Sequence, residues 1–229
     1  MTRLVLAFAA TALVLAGGAS AARRVVVGHS VDGTPIVAYE LGDPSASRKV
    51  LVVGCVHGNE PGGTAIANRL VQLPPPRGVD LWVVPSFNPD GEAAHTRGNA
   101  HRVDLNRNFP LAWRPLTGVY YSGPRALSEP ESRIAYRLML RLRPAISIWY
   151  HQHLDLVDES GGDVAIERRY AQLVGLRAVQ LTRYAGSIVT WENTHFRGST
   201  AFVVELPAGE PSAASANRFA RAVDTLVQG

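Results

Sequence analysis

Val50-Leu51-Val52-Val53-Gly54-Cys55-Val56-His57-Gly58-Asn59-Glu60-Pro61-Gly62-Gly63 is the stretch that decides the fold. Residues 50–56 are a continuous apolar run, the pattern of a strand buried on both faces. The run ends in an imidazole, and a carboxylate follows three residues later in a Gly-rich turn. At the carboxyl edge of a sheet, two such groups converge from a tight bend and leave further coordination positions open, which suits a metal ion.

The flanking segments extend this into an architecture. Upstream, Arg24–Val27 and Thr34–Glu40 flank Ser30-Val31-Asp32-Gly33 and read as a β-hairpin turning on Asp-Gly. Downstream, Pro61 opens a helix carrying Ile66, Leu70 and Leu73 on one face, and Pro74-Pro75-Pro76 stops it. Asp80–Pro85 is a second buried strand leading into a turn at Asn88-Pro89-Asp90-Gly91. From there to about Pro124 the chain is irregular, and a loop that long in a compact domain is usually functional. Ser128 and Glu131 have capping-box spacing for a helix with Ile134, Leu138 and Leu142 inward. Pro144 ends that helix, and Ala145–Tyr150 is a strand running into His151. A helix over Glu167–Thr182, a buried strand over Thr200–Glu205 and a helix over Pro211–Val227 complete the pattern. Apolar strands alternating with amphipathic helices predict an α/β fold: a mixed, mostly parallel central sheet with helices on both faces.

The 229 residues suffice for one core, and neither repeats nor a linker divide residues 22–229, so one catalytic domain is expected there. Residues 1–21 have a different character. Arg3, an apolar run from Leu4 to about Ala16 and a small-residue end at Ala19-Ser20-Ala21 have the form of a secretory signal peptide. The run is short of the ~20 residues of a spanning helix. An exported protein, periplasmic, envelope-associated or extracellular, with no stable span after signal removal is therefore expected. The net charge of +4 comes without a dense basic cluster, which gives no support for a nucleic-acid partner. Cys55 is the single cysteine, so no intramolecular disulfide forms, and its place in an apolar strand predicts an inert buried thiol.

His57 and Glu60 need a third ligand from another strand end. His151 closes its strand at the same topological position as His57, and His153, two residues on, is the competing choice. The Asp104-Leu105-Asn106-Arg107-Asn108-Phe109 run sets an amide beside a guanidinium, a socket for a substrate carboxylate. Arg97 offers a second positive charge that would polarise a carbonyl. Glu205 closes a buried apolar strand, where a carboxylate is costly without a partner or a task. At a metal site it can accept a proton from water and return it to a leaving amine.

His57-x-x-Glu60, Asn88-Pro89-Asp90-Gly91, Arg97, Asp104 to Phe109, His151 and Glu205 resemble, in order, the zinc carboxypeptidases of the carboxypeptidase A type. The set is most similar to their bacterial murein peptide amidase branch. The related succinylglutamate desuccinylase and aspartoacylase group shares the His-Gly-Asn-Glu and Asp-Leu-Asn-Arg runs. The resemblance implies one Zn2+ held by His57, Glu60 and His151, with Glu205 as general base and acid. It implies Arg97 polarising the scissile carbonyl, Asn106 and Arg107 holding a carboxylate, and Tyr184 closing over a peptide or cell-wall peptide substrate. The expected activity is hydrolysis of the D-glutamate–diaminopimelate linkage. An ordinary carboxypeptidase, an N-acyl amino acid deacylase and a silent envelope-binding fold are the alternatives.

Overall fold

In the computed structural model, which describes residues 22–228, the chain begins with β1 (Arg23–His29) and β2 (Pro35–Gly42). They pair antiparallel across the Asp32-Gly33 turn, where Gly33 takes a φ of 81°, a conformation that glycine adopts without strain. β3 (Lys49–Cys55), α1 (Gly62–Val71), β4 (Asp80–Ser86) and the short α2 (Pro89–Ala94) follow. A long loop, tightened by 3-10 turns at Leu105–Arg107 and Gly118–Tyr120, leads to α3 (Pro130–Leu142). Then come β5 (Ile146–Gln152), β6 (Leu156–Asp158), α4 (Val164–Val174) and β7 (Arg177–Val179). The chain closes with α5 (Ile188–His195), β8 (Thr200–Leu206) and α6 (Ala213–Gln228). The signal-peptide segment, residues 1–21, lies outside the described residues. Among those described, no helix is long and apolar enough to cross a membrane.

The eight strands form one mixed sheet in the order β1-β2-β4-β3-β5-β8-β6-β7. Its centre, β4-β3-β5-β8, is parallel, and antiparallel pairs join it to β2 and to β6. Central strands can be apolar on both faces because each face is covered. Val50, Val52, Ile148, Tyr150, Phe202 and Val204 pack on one side, where Ile66, Leu70 and Phe219 bring in α1 and α6. Leu51, Val53, Trp149 and Val203 pack on the other, against Ile134, Leu138 and Met139 of α3 and Trp191 of α5. Each such side chain, fully removed from water, contributes about 1.5–3 kcal/mol. The same two-residue alternation carries His151 to the side of Trp149 and Glu205 to the side of Val203. The expected α/β architecture is the one observed.

Several local expectations differ. Asn88 accepts a hydrogen bond from the Gly91 amide at 3.0 Å and caps α2, so Asn-Pro-Asp-Gly starts a helix and is not a simple turn. The Ser128/Glu131 capping box does not form: Glu129 is the N-cap residue of α3, with no side-chain cap. Tertiary partners claim those groups instead. Ser128 Oγ donates to Glu129 Oε1 at 2.6 Å, and Glu131 accepts from the Val31 amide and from Asn99 Nδ2. The helix expected over Glu167–Thr182 stops at Val174, because Gly175 turns left-handed with φ 72° and residues 177–179 pair with β6. Leu73 lies beyond the end of α1. The strand at Leu156–Asp158 and the helix at Ile188–His195 are not foreshadowed in the sequence. The first is three residues long, and the second does not segregate apolar from polar positions.

Candidate active site

The carboxyl ends of β3 and β5 bring the metal-type side chains together. His57 Nδ1 and His151 Nδ1 each lie 2.9 Å from Glu60 Oε2 and 3.1 Å from one another. All three residues are buried. Among the described residues, this is the cluster of three His, Cys, Asp or Glu groups whose donor atoms converge. The turn that delivers Glu60 closes with its amide on the His57 carbonyl at 2.9 Å. It is also wedged against α2, because a Cβ on Gly58 would meet Gly91 C at 1.9 Å. His153 lines the neighbouring cavity and is not part of the cluster. His101 lies elsewhere, with Nδ1 2.8 Å from Glu129 Oε2.

The site contains one group to which the sequence reading gave no role of its own. Asp104, fully buried, accepts from His57 Nε2 at 2.9 Å and from the Asn106 amide at 2.9 Å through Oδ1. Its Oδ2 accepts from Arg97 Nε at 2.9 Å. A carboxylate behind an imidazole fixes the proton on the far nitrogen and leaves Nδ1 with a free lone pair for a cation. The signal is present in the sequence, since Asp104 opens the run that also carries Asn106 and Arg107. Burial opposes the charge on Asp104, yet His57, Arg97 and Arg107 outweigh it and hold the carboxyl well below the usual range. Glu60 follows the same logic: burial works against its charge, but hydrogen bonds from His151 and His57 prevail and keep it ionised. In return, His57 is pushed up: burial disfavours the imidazolium, and Asp104 and Glu60 more than compensate.

The three donor atoms fit a metal. Two imidazole nitrogens and a carboxylate oxygen face one another across about 3 Å, an arrangement that is favourable only with protons or a cation between them. Bonds of about 2.0–2.1 Å to a tetrahedral ion set neighbouring ligand atoms about 3.3 Å apart, close to these separations. Two nitrogens and one oxygen, with a side open to a cavity, match a catalytic rather than a closed structural site.

That cavity, about 310 Å³, is lined by His57, Glu60, His151, Arg97, Arg107 and Glu205 among others. Arg97 spends Nε on Asp104 and donates Nη1 to Glu60 Oε1 at 3.0 Å. Part of its capacity to polarise a carbonyl is therefore already committed to the ligand carboxylates. Asn106 accepts from the Ile188 amide at 3.0 Å through Oδ1, which leaves its Nδ2 as the donor for a ligand. Arg107, buried, donates Nη1 to the Asn106 carbonyl at 2.7 Å. Burial pulls its guanidinium down from its ordinary value, and Asp104 partly restores it. Tyr184 stacks over Arg107 with 4.5 Å from guanidinium carbon to ring centre, and Tyr120 does so at 5.4 Å. Both rings are about half exposed at the rim. Tyr120 was missed in the sequence because it sits in an irregular loop with no periodicity. Glu205, beside His151 across the β5–β8 register, presents a buried Oε2 with no hydrogen-bond partner among the described residues.

A His-Glu-His cluster at a sheet edge, opening on an arginine-lined cavity beside a carboxylate with an unpartnered oxygen, has the donor set of a catalytic metal site. The chain belongs to the succinylglutamate desuccinylase/aspartoacylase catalytic domain family, whose pattern matches residues 46–228. It is 30% identical over 197 residues to murein peptide amidase A of Vibrio campbellii (strain ATCC BAA-1116), a match covering 79% of this chain and 77% of that protein. Murein peptide amidase A of Escherichia coli (strain K12) is 31% identical over 147 residues, 58% of this chain and 60% of the other. The crystal structure of a carboxypeptidase A from Helicoverpa armigera superposes with a TM-score of 0.76 at 18% identity, covering 91% of this chain and 68% of that one. The fold is thus carboxypeptidase-like.

Proposed function

We propose that this protein is an exported, zinc-dependent amidase of cell-wall peptides that cleaves the D-glutamate–diaminopimelate linkage. The observation that carries the hydrolytic reading is Glu205, which lines the same cavity as His57, Glu60 and His151 and whose buried Oε2 has no hydrogen-bond partner among the described residues. The murein peptide amidases among its relatives support the substrate. Residues 1–21, with the form of a signal peptide, support export.

A zinc ion held by His57, Glu60 and His151 would supply a Lewis acid for the scissile carbonyl and acidify a bound water. The residues of the chain do the rest. Asn106 Nδ2 and the Arg107 guanidinium hold a carboxylate of the leaving residue and so fix the scissile bond over the cavity. The Glu205 carboxylate accepts a proton from the attacking water and delivers it to the leaving nitrogen. Arg97 adds positive charge where the carbonyl oxygen becomes negative. Tyr184 and Tyr120 cover Arg107 and shield its ion pair from water.

Incubation with defined muropeptides, with products identified by mass, tests the proposal. Cleavage of the γ-D-glutamyl bond is expected. Release of D-alanine with that bond intact would assign an ordinary carboxypeptidase. A second reading, deacylation of small N-acyl amino acids, is favoured by the family match itself, and N-acyl-glutamate is its test substrate.

A further inference from the structure

A third arginine lines the same cavity as Arg97 and Arg107, and neither the metal cluster nor the Asn106–Arg107 socket uses it. Arg183 lies between Leu181 and Tyr184 on the cavity wall and is partly exposed. Its head group is held in place. Nη1 donates to both oxygens of Asp158, at 3.0 and 2.8 Å, and Nη2 donates to the Glu159 carbonyl. Asp158 is buried at the end of β6, and its remaining acceptor capacity goes to the Leu181 amide at 2.8 Å and Ser160 Oγ at 2.7 Å. With all its lone pairs engaged, Asp158 cannot take a ligand cation; it positions Arg183. Nε of Arg183 and the second Nη2 proton have no partner among the described residues, and a guanidinium so oriented offers donors to a carboxylate.

We propose that Arg183 is a specificity-determining residue that receives a second carboxylate, carried on the side chain of the residue whose first carboxylate sits at Asn106 and Arg107. This rests on the amidase reading above and sharpens it: the leaving amino acid is a dicarboxylate. Diaminopimelate satisfies this, and so does glutamate; lysine, which is diaminopimelate without its distal carboxylate, does not. A purely structural Arg183, tying β6 to the loop before α5, would not discriminate between them.

The test compares kcat/KM of the zinc-loaded protein on γ-D-glutamyl-diaminopimelate and γ-D-glutamyl-lysine peptides, with N-acyl-glutamate as a third substrate. Loss of a charge-assisted contact predicts a preference of roughly 10- to 100-fold for diaminopimelate over lysine, seen mainly in KM. Arg183→Gln should collapse that ratio toward unity, and Arg183→Lys should restore part of it. Equal kcat/KM for the two peptides, or a ratio unmoved by Arg183→Gln, overturns the role of Arg183 and leaves the amidase reading standing. Preference for N-acyl-glutamate, lost in Arg183→Gln, keeps the second carboxylate and replaces diaminopimelate by a shorter leaving residue. Hydrolysis of none of the three refutes the amidase reading, and the inference with it.

Discussion

Replacing Asp104 by Asn should weaken metal binding without unfolding the protein, and the geometry dictates why. Oδ1 accepts from His57 Nε2 and the Asn106 amide, while Oδ2 accepts from Arg97 Nε, each at 2.9 Å. An Asn can place its carbonyl at only one of those positions. With oxygen toward His57, the new NH2 faces Arg97 Nε donor to donor, and Arg97 loses one of its two carboxylate anchors. With oxygen toward Arg97, the NH2 faces His57 Nε2, which must then become the acceptor. The proton moves to Nδ1, the atom that has to be free for the metal. Either choice spoils a partner of the ligand shell, a change that typically costs 10–100-fold in metal affinity, or about 1.4–2.7 kcal/mol. Competition of the purified variant and the parent against a chromophoric chelator measures the ratio, with circular dichroism as the check on folding. A zinc affinity within about two-fold of the parent, in a folded variant, would refute the assignment of Asp104 as the group that sets the His57 tautomer.

Three further outcomes are expected. Glu205→Gln should keep its metal and lose roughly 10²–10⁴-fold in kcat, read by metal analysis alongside peptide hydrolysis; full activity would remove Glu205 as the proton carrier. His151→Ala should reduce metal affinity by more than the ~10–100-fold of an outer-shell change, whereas His153→Ala should fall well short of that; the reverse order in a chelator titration would exchange their roles. Burial raises the Glu192 carboxyl from 4.5 to about 7, with Ser147 as its hydrogen-bond partner. Between those values the folded state binds the proton more tightly than the unfolded chain does, so this group makes stability fall as pH rises from about 4.5 to 7, and adds no further slope above that. The span corresponds to about 3 kcal/mol. Denaturant midpoints across this range should therefore flatten in Glu192→Gln, and an unchanged slope would count against a protonated Glu192 at low pH.

What could be read from the sequence depended on how local the cause was. The strands at 50–56, 80–85, 145–150 and 200–205 were visible because burial on both faces leaves a largely apolar run. Their ends in turn marked where His57, His151 and Glu205 would stand. Elements decided by distant partners were not visible. Gly175 ends α4 where the apolar pattern continues, and Ser128 and Glu131 have a capping spacing but are drawn off by Glu129, Asn99 and the Val31 amide. Asp104 escaped notice for the same reason, since its role requires His57, 47 positions away, to be placed against it by the fold. Arg183 carries no sequence signal because its partner Asp158 ends a strand of only three residues.

The parallel strands β3, β5 and β8 are immediate neighbours, and each contributes one member of the reacting set at its carboxyl end. Adjacent strands are about 4.8 Å apart, so the spacing between His151 and Glu205, paired across β5 and β8, is inherited from backbone hydrogen bonding. Arg107, Arg183 and both rim tyrosines, by contrast, stand in loops or in the 3-10 turns Leu105–Arg107 and Gly118–Tyr120. His151 and Glu205 are thus carried by the sheet, whereas the groups that would hold the substrate are carried by loops. Changes confined to the segments around Tyr120 and Tyr184 would alter what the cavity admits while leaving His151 and Glu205 in place, whereas a one-residue slip of β5 would turn His151 to the opposite face and dismantle the metal cluster.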